Sequence, residues 1–176
     1  MYYILLSTAS LAQLVRAPAL QAGGRRFESY NSHHLAMKDK VQKYLDFHRE
    51  NGGTGKLFEF KYINYTDSCL ELEGNFTELT LNPDGSVQGG MMTSMLDDAT
   101  ALLLIVESEG AVYPASTDLH SLHHLPLKSG KCRVKATTMR KGKSIATVKG
   151  EIFNEANKLV TTLVHTVYLI HKSRSI

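Results

Sequence analysis

The chain has 176 residues, 43% hydrophobic and 21% charged, with two cysteines and a formal net charge of +3. That length supports one domain, or one domain with an appendage, and a core that needs no disulfide or metal staples. The composition excludes a largely disordered chain, a collagen, a coiled coil and a disulfide scaffold, and the mild basicity falls short of a dedicated nucleic-acid binder. Cys69 and Cys132 form no CxxC or CxxH pattern, so a Cys-based zinc site is not expected and a reducing, cytoplasmic setting is.

The charge is divided unevenly at Met37. Residues 1–36 hold Arg16, Arg25 and Arg26, no lysine and one acid, Glu28; the later segment holds 17 basic and 16 acidic residues. Three readings of the first segment compete. A secretory signal is disfavoured, because the apolar stretch at 2–6 is short and no charge precedes it. A transit peptide fits the arginines, serines and scarcity of acid. The third reading rests on Ala12-Gln13-Leu14-Val15-Arg16-Ala17 and Gly23-Gly24-Arg25-Arg26-Phe27-Glu28-Ser29. These strings resemble the D arm and TΨC arm of a bacterial transfer-RNA gene read as codons. This reading is preferred, so 1–36 is expected to be a non-native or targeting extension without order, and 37–176 a single domain.

The elements of that domain follow in chain order. Val41, Tyr44, Leu45 and Phe47 among charges predict an amphipathic helix over 38–49, ended by Asn51-Gly52-Gly53-Thr54-Gly55. Strands are predicted over 57–65 and 69–81, then a turn at Asn82-Pro83-Asp84-Gly85. Residues 88–106 are apolar nearly all round, which predicts a buried helix about 28 Å long. No uninterrupted apolar run reaches the roughly 18 residues of a membrane span. Asp97 and Asp98 in mid-helix argue further against one. Strands follow over 115–122, 131–140, 144–153 and 159–170, with turns at 140–143 and 154–157. In the second of these, Cys132, Val134, Ala136 and Thr138 share one side. The last has apolar residues at both parities, so it is expected to be central or covered on both faces. The outline is an α+β domain, a long antiparallel sheet with one buried helix across it.

A carboxylate on an apolar helix needs a reason, because burying an ionised group uncompensated is costly. One ordinary explanation is that one Asp leans to solvent while the other caps a neighbouring backbone. Two features favour chemistry instead. Gly89-Gly90 opens the helix, where small residues let a ligand reach the unsatisfied first-turn N–H groups, an oxyanion site. Asp97 lies about two turns on, so a carbonyl at the N-terminus would have the Asp97 carboxylate at its flank, the minimum for acyl hydrolysis.

Asn82-Pro83-Asp84-Gly85-Ser86-Val87-Gln88-Gly89-Gly90, followed by Leu96-Asp97, resembles the hot-dog-fold acyl-CoA thioesterases of the phenylacetate-degradation type. Their pattern is N-x-x-G-x-x-H-G-G, then a helix with an L-x-D or L-D step. Ser116-Thr117-Asp118, with Pro126 eight residues on, is similar to the family's S-x-D…P strand. The layout matches from about Lys38 to Ile170. The resemblance implies a hot-dog fold, with the sheet wrapped around the central helix. It further implies Asp97 as base or nucleophile, and Gly89 N–H, with Gly90 beside it, as the group polarising the carbonyl. Asn82 would orient the carbonyl or water, and Ser116, from a partner subunit, would position water against Asp97. Thr117 would contribute to substrate binding. A homodimer is the implied minimum, with a homotetramer as the larger assembly. The family's His before the glycine pair is here Gln88, whose amide can donate a hydrogen bond but cannot transfer protons.

Other residues carry weaker signals. His120, His123, His124, His165 and His171 are read as cross-strand or pocket-lining histidines rather than metal ligands, since only alternate strand residues share a face. Arg140, Lys141 and Lys143 form a basic turn that would meet the coenzyme A phosphates, or simply a solvated hairpin tip. Met91, Met92 and Met95 would line an acyl pocket or fill core. The expected activity is hydrolysis of an acyl-CoA thioester, with coenzyme A as part of the substrate, no retained cofactor, no metal, and no nucleic-acid or membrane partner. The rivals are a 3-hydroxyacyl-thioester dehydratase, disfavoured by Gln88, and a non-catalytic acyl-CoA-binding protein.

Overall fold

The computed structural model describes residues 35–66 and 68–171, and the described residues from Lys38 onward form one compact unit. The readings made of positions 1–34 lie outside the described residues. The elements are α1 (35–51), α2 (Gly53–Phe58), β1 (Lys61–Thr66), β2 (Cys69–Phe76), a 3-10 turn (Glu78–Thr80) and α3 (Gly89–Glu107). After them come β3 (Val112–His123), β4 (Gly130–Lys141), β5 (Ile145–Phe153) and β6 (Leu159–His171). The six strands form one antiparallel sheet in the order β1-β2-β4-β5-β6-β3.

Period-two patterning explains the sheet's two faces. Leu70, Leu72 and Phe76 of β2 and Cys132, Val134 and Ala136 of β4 are buried together with Val148, Ile152, Leu163 and Val167. The opposite face pairs charges across strands, with Arg133 on Glu71 at 3.3 Å and Lys131 on Glu73 at 3.1 Å. The α3 helix covers the apolar face, with Met95, Leu96, Ala99, Leu103 and Leu104 fully buried. By length and composition α3 is apolar enough to cross a membrane, with a mean hydropathy of 1.3, and here it packs across the sheet. Two glycines make that approach possible. A Cβ at Gly74 would lie 2.9 Å from the Met95 side chain, and one at Gly150 would lie 3.1 Å from Leu96 and 3.2 Å from Thr100.

β6 is central, between β5 and β3, as its composition suggested. Two segments depart from expectation. The strand predicted over 57–65 begins only at Lys61, because Gly53–Phe58 coils into α2 and Glu59, at φ 47°, reverses the chain after it. The glycine cluster does end α1, by a Gly52 N–H to His48 carbonyl bond of 2.8 Å, but it also lets α2 fold back at once. A Cβ at Gly55 would sit 2.3 Å from the His48 carbonyl oxygen, so only glycine fits there. The strand predicted over 69–81 stops at Phe76, and Glu78–Thr80 turns in a 3-10 helix held by the buried Thr80 hydroxyl donating to the Thr77 carbonyl.

Candidate active site

The segment that opens α3 is tied down by the backbone. The Gly85 N–H donates to the Asn82 carbonyl at 2.9 Å, and the Asn82 N–H donates to the Ser86 carbonyl at 2.7 Å. Gly85 sits at φ 78°, which this turn demands of a glycine. Asp84 accepts from both the hydroxyl and the N–H of Ser86, contacts that hold its carboxyl below the ordinary range. The Gln88 N–H then bonds to the Thr80 carbonyl, which delivers the chain into the helix at a defined point.

Gln88 is the N-cap residue, exposed, and its side chain makes no cap hydrogen bond. The first intrahelical bonds are those of Met91 and Met92 to the Gln88 carbonyl, so the Gly89 and Gly90 amides lie ahead of the helix ladder. Beside them is a cavity of about 340 Å³ lined by Gly89, Met92, His123, His124, Leu125 and Pro126. The His123 ring stands close over Gly89, its Nε2 3.0 Å from where a Cβ would be, so a side chain at 89 would press on that ring.

Asp97 lies two turns along α3, about one third exposed. The Ser116 hydroxyl donates to Asp97 Oδ1 at 2.9 Å. Ser116 was expected from a second subunit; it reaches Asp97 from the same chain, because β3 lies alongside α3. A β-bulge at Thr117 sets Ser116 opposite Val167 and Asp118 opposite Thr166, and the Thr117 hydroxyl donates to the Thr166 carbonyl at 2.9 Å. Bulges of this kind re-aim side chains beside functional groups. Thr117 is thus held by the sheet itself. Beneath Asp97 is His165 of β6, fully buried, with Nε2 3.4 Å from Asp97 Oδ1 and Nδ1 2.7 Å from the Thr100 hydroxyl.

The predicted residues therefore fall into three places. Asp97 and Ser116 are in contact. Asn82, Gln88, Gly89 and Gly90 gather at the start of α3, about 12 Å along the helix axis from Asp97 at 1.5 Å per residue. One small carbonyl does not bridge that gap within one chain. Arg140, Lys141 and Lys143 lie at the β4–β5 hairpin, where Lys141 pairs at 3.0 Å with Glu107, the last residue of α3. Thr138 donates to the other Glu107 oxygen at 2.8 Å, so Lys141 is already engaged within the chain. The sequence reading missed the placement of His123 over Gly89 and of His165 under Asp97. A histidine on an apolar strand face was the only signal for His165. Met92 and Met95 are buried, and Met92 borders the small cavity as well.

The thioesterase superfamily profile matches residues 84–161. Among solved structures, a phenylacetic acid degradation-related protein of Ralstonia eutropha is 27% identical, with 71% of this chain and 98% of that one covered and a TM-score of 0.64. The PaaI protein of the E. coli phenylacetic acid degradation operon is 19% identical over 78% of this chain and 98% of that one, at a TM-score of 0.67. A Streptococcus mutans protein bound to acetyl CoA is 15% identical over 65% and 91%, at a TM-score of 0.59. No curated protein sequence matches. Residues 84–161 thus match the thioesterase superfamily, and the fold that carries them, a six-stranded antiparallel sheet around one central helix, is the hot-dog fold.

Proposed function

We propose that the protein hydrolyses an acyl-CoA thioester to the free acid and coenzyme A, with Asp97 as base or nucleophile. The match to the thioesterase superfamily supports thioester hydrolysis in general, and the acetyl-CoA-bound structural neighbour supports a coenzyme A ester as the thioester. The observation that carries the reading is the Asp97 carboxylate, accessible to solvent yet held by Ser116.

As base, Asp97 takes a proton from water while the hydroxide oxygen bonds to the thioester carbon. As nucleophile, its own oxygen forms that bond, and water then cleaves the resulting anhydride. Either way the carbonyl oxygen gains negative charge, which the Gly89 N–H and the positive end of α3 stabilise. The C–S bond then breaks and coenzyme A leaves as thiolate. The 12 Å between Gly89 and Asp97 calls for a second chain, so that Asp97 of one chain meets the glycine pair of another. β3 supports this assembly: it is a 12-residue edge strand, with Leu119 and Leu122 exposed along it. A homodimer is the minimum and a homotetramer the larger form. Asn82, Gln88 and Gly90 would then line the carbonyl end, and Arg140 and Lys143 remain the exposed cations for the coenzyme A phosphates. The free thiols of Cys69 and Cys132 support a cytoplasmic setting.

The test is thiol release from a panel of acyl-CoA esters by the wild type and Asp97→Asn. Turnover by the wild type, lost in Asp97→Asn, supports the reading. Stoichiometric binding of intact ester would make it a binding protein, and full activity in Asp97→Asn would remove Asp97 from the mechanism.

A further inference from the structure

Polar side chains are rare in this core, and His165 is the largest of those fully buried. Both ring nitrogens face α3. Nδ1 lies 2.7 Å from the Thr100 hydroxyl, and Nε2 lies 3.4 Å from Asp97 Oδ1 without a well-aligned hydrogen bond. Leaving a buried ring nitrogen unpaired is costly, and the partly exposed Asp97 carboxylate stands within reach of it at 3.4 Å.

The proton positions follow from counting. The Thr100 hydroxyl has one proton and three acceptors around it: the Leu96 carbonyl at 2.7 Å, the Asp97 carbonyl at 3.0 Å and His165 Nδ1. If that proton goes to a carbonyl, a neutral His165 carries its own proton on Nδ1 and turns the Nε2 lone pair toward the anionic Asp97 oxygen, which is repulsive. If it goes to Nδ1, the ring proton sits on Nε2 and points at Asp97 Oδ1, and both contacts are attractive. From this geometry we infer that His165 is a positioning residue for Asp97. The Asp97 carboxylate selects the Nε2–H tautomer, the Thr100 hydroxyl accommodates it by donating to Nδ1, and the Nε2–H, together with Ser116, holds Oδ1 so that Oδ2 is the oxygen presented to water or substrate.

Burial keeps the ring neutral by lowering its pKa, against the opposing pull of Asp97 on α3 and Asp118 on β3. A neutral donor orients the carboxylate without cancelling its charge, which a base needs to keep. The inference rests on the proposed role of Asp97, and its test has one arm that needs no turnover. In that arm, ¹⁵N spectra read the His165 tautomer and ¹³C spectra follow Asp97 ionisation in the wild type, His165→Leu and His165→Gln. The expected result is an Nε2–H tautomer, with Asp97 titrating at higher pH in His165→Leu and returning toward wild type in His165→Gln, whose amide restores a donor. In the activity arm, His165→Leu lowers kcat by about 10- to 100-fold, the scale of a small misplacement of a catalytic group, with KM nearly unchanged. Its acid limb moves up in pH. Should His165→Leu fail to fold, Thr100→Val removes the donor to Nδ1 while preserving shape, which loosens the ring's hold on Asp97 and shifts the same limb in the same direction. An Nδ1–H tautomer, or an Asp97 titration that ignores residue 165, overturns the inference. Absence of acyl-CoA turnover in the wild type would overturn the proposed function instead, and the spectra would still decide the role of His165.

Discussion

The Asp97 carboxyl is tolerated on the apolar α3 because its side chain is partly wetted and bonded by Ser116. Replacing Asp97 by Asn keeps the shape and removes the base, so kcat is expected to fall by about 10²- to 10⁴-fold in the acyl-CoA assay. Ser116→Ala removes one hydrogen bond to a charged oxygen and is expected to cost about 10-fold in kcat/KM. Cys132 makes a different point. Burial pushes its thiol up to about 12, so almost none of it is thiolate at pH 8. Mass spectrometry after brief treatment with a thiol reagent should find Cys69, which is partly exposed, modified first. His165 also links stability to pH. Its folded pKa lies below the ordinary 6.5, so between those two values the unfolded chain binds a proton that the folded chain refuses. Stability therefore falls as pH drops below about 6.5, until the folded pKa is passed. Urea midpoints at several pH values should show a shallower dependence in His165→Gln than in the wild type.

At the scale of elements, α3 depends on what lies under it. Gly74 and Gly150 are hollows in the sheet that receive Met95, Leu96 and Thr100. Gly150→Val would press branched carbons into Leu96 and Thr100 and is expected to destabilise the fold by about 1–3 kcal/mol in chemical denaturation. The same packing sets the site, because Thr100 both meets Gly150 and orders His165. Element types were legible where periodicity was strong: α3 and the last four strands match their predicted spans within a few residues. They were not legible at Gly53–Phe58. Leu57 and Phe58 suit the end of a short helix or the start of a strand equally, and the glycines before them, which let the chain pack closely on His48, read by composition only as a helix terminator.

Across the whole molecule, the proposed dimer is the test of whether the site is assembled between chains. Placing charge on β3 with Leu119→Asp and Leu122→Asp should give a monomer by light scattering, with the fold retained by circular dichroism and turnover abolished. A monomer with full activity would mean that one chain suffices. The sequence by itself determined the α+β class, the buried helix, the central last strand and the pairing of a glycine-led helix start with a mid-helix Asp. Each of these is written in local residue pattern, in burial periodicity or in turn chemistry. The tertiary structure alone decided that Ser116 meets Asp97 within one chain, that Lys141 is engaged by Glu107, and that two histidines stand at the two ends of the site. Those contacts join residues 19 to 68 positions apart, brought together by strand register, a bulge and the depth at which a helix rests on glycine, none of which a local pattern encodes.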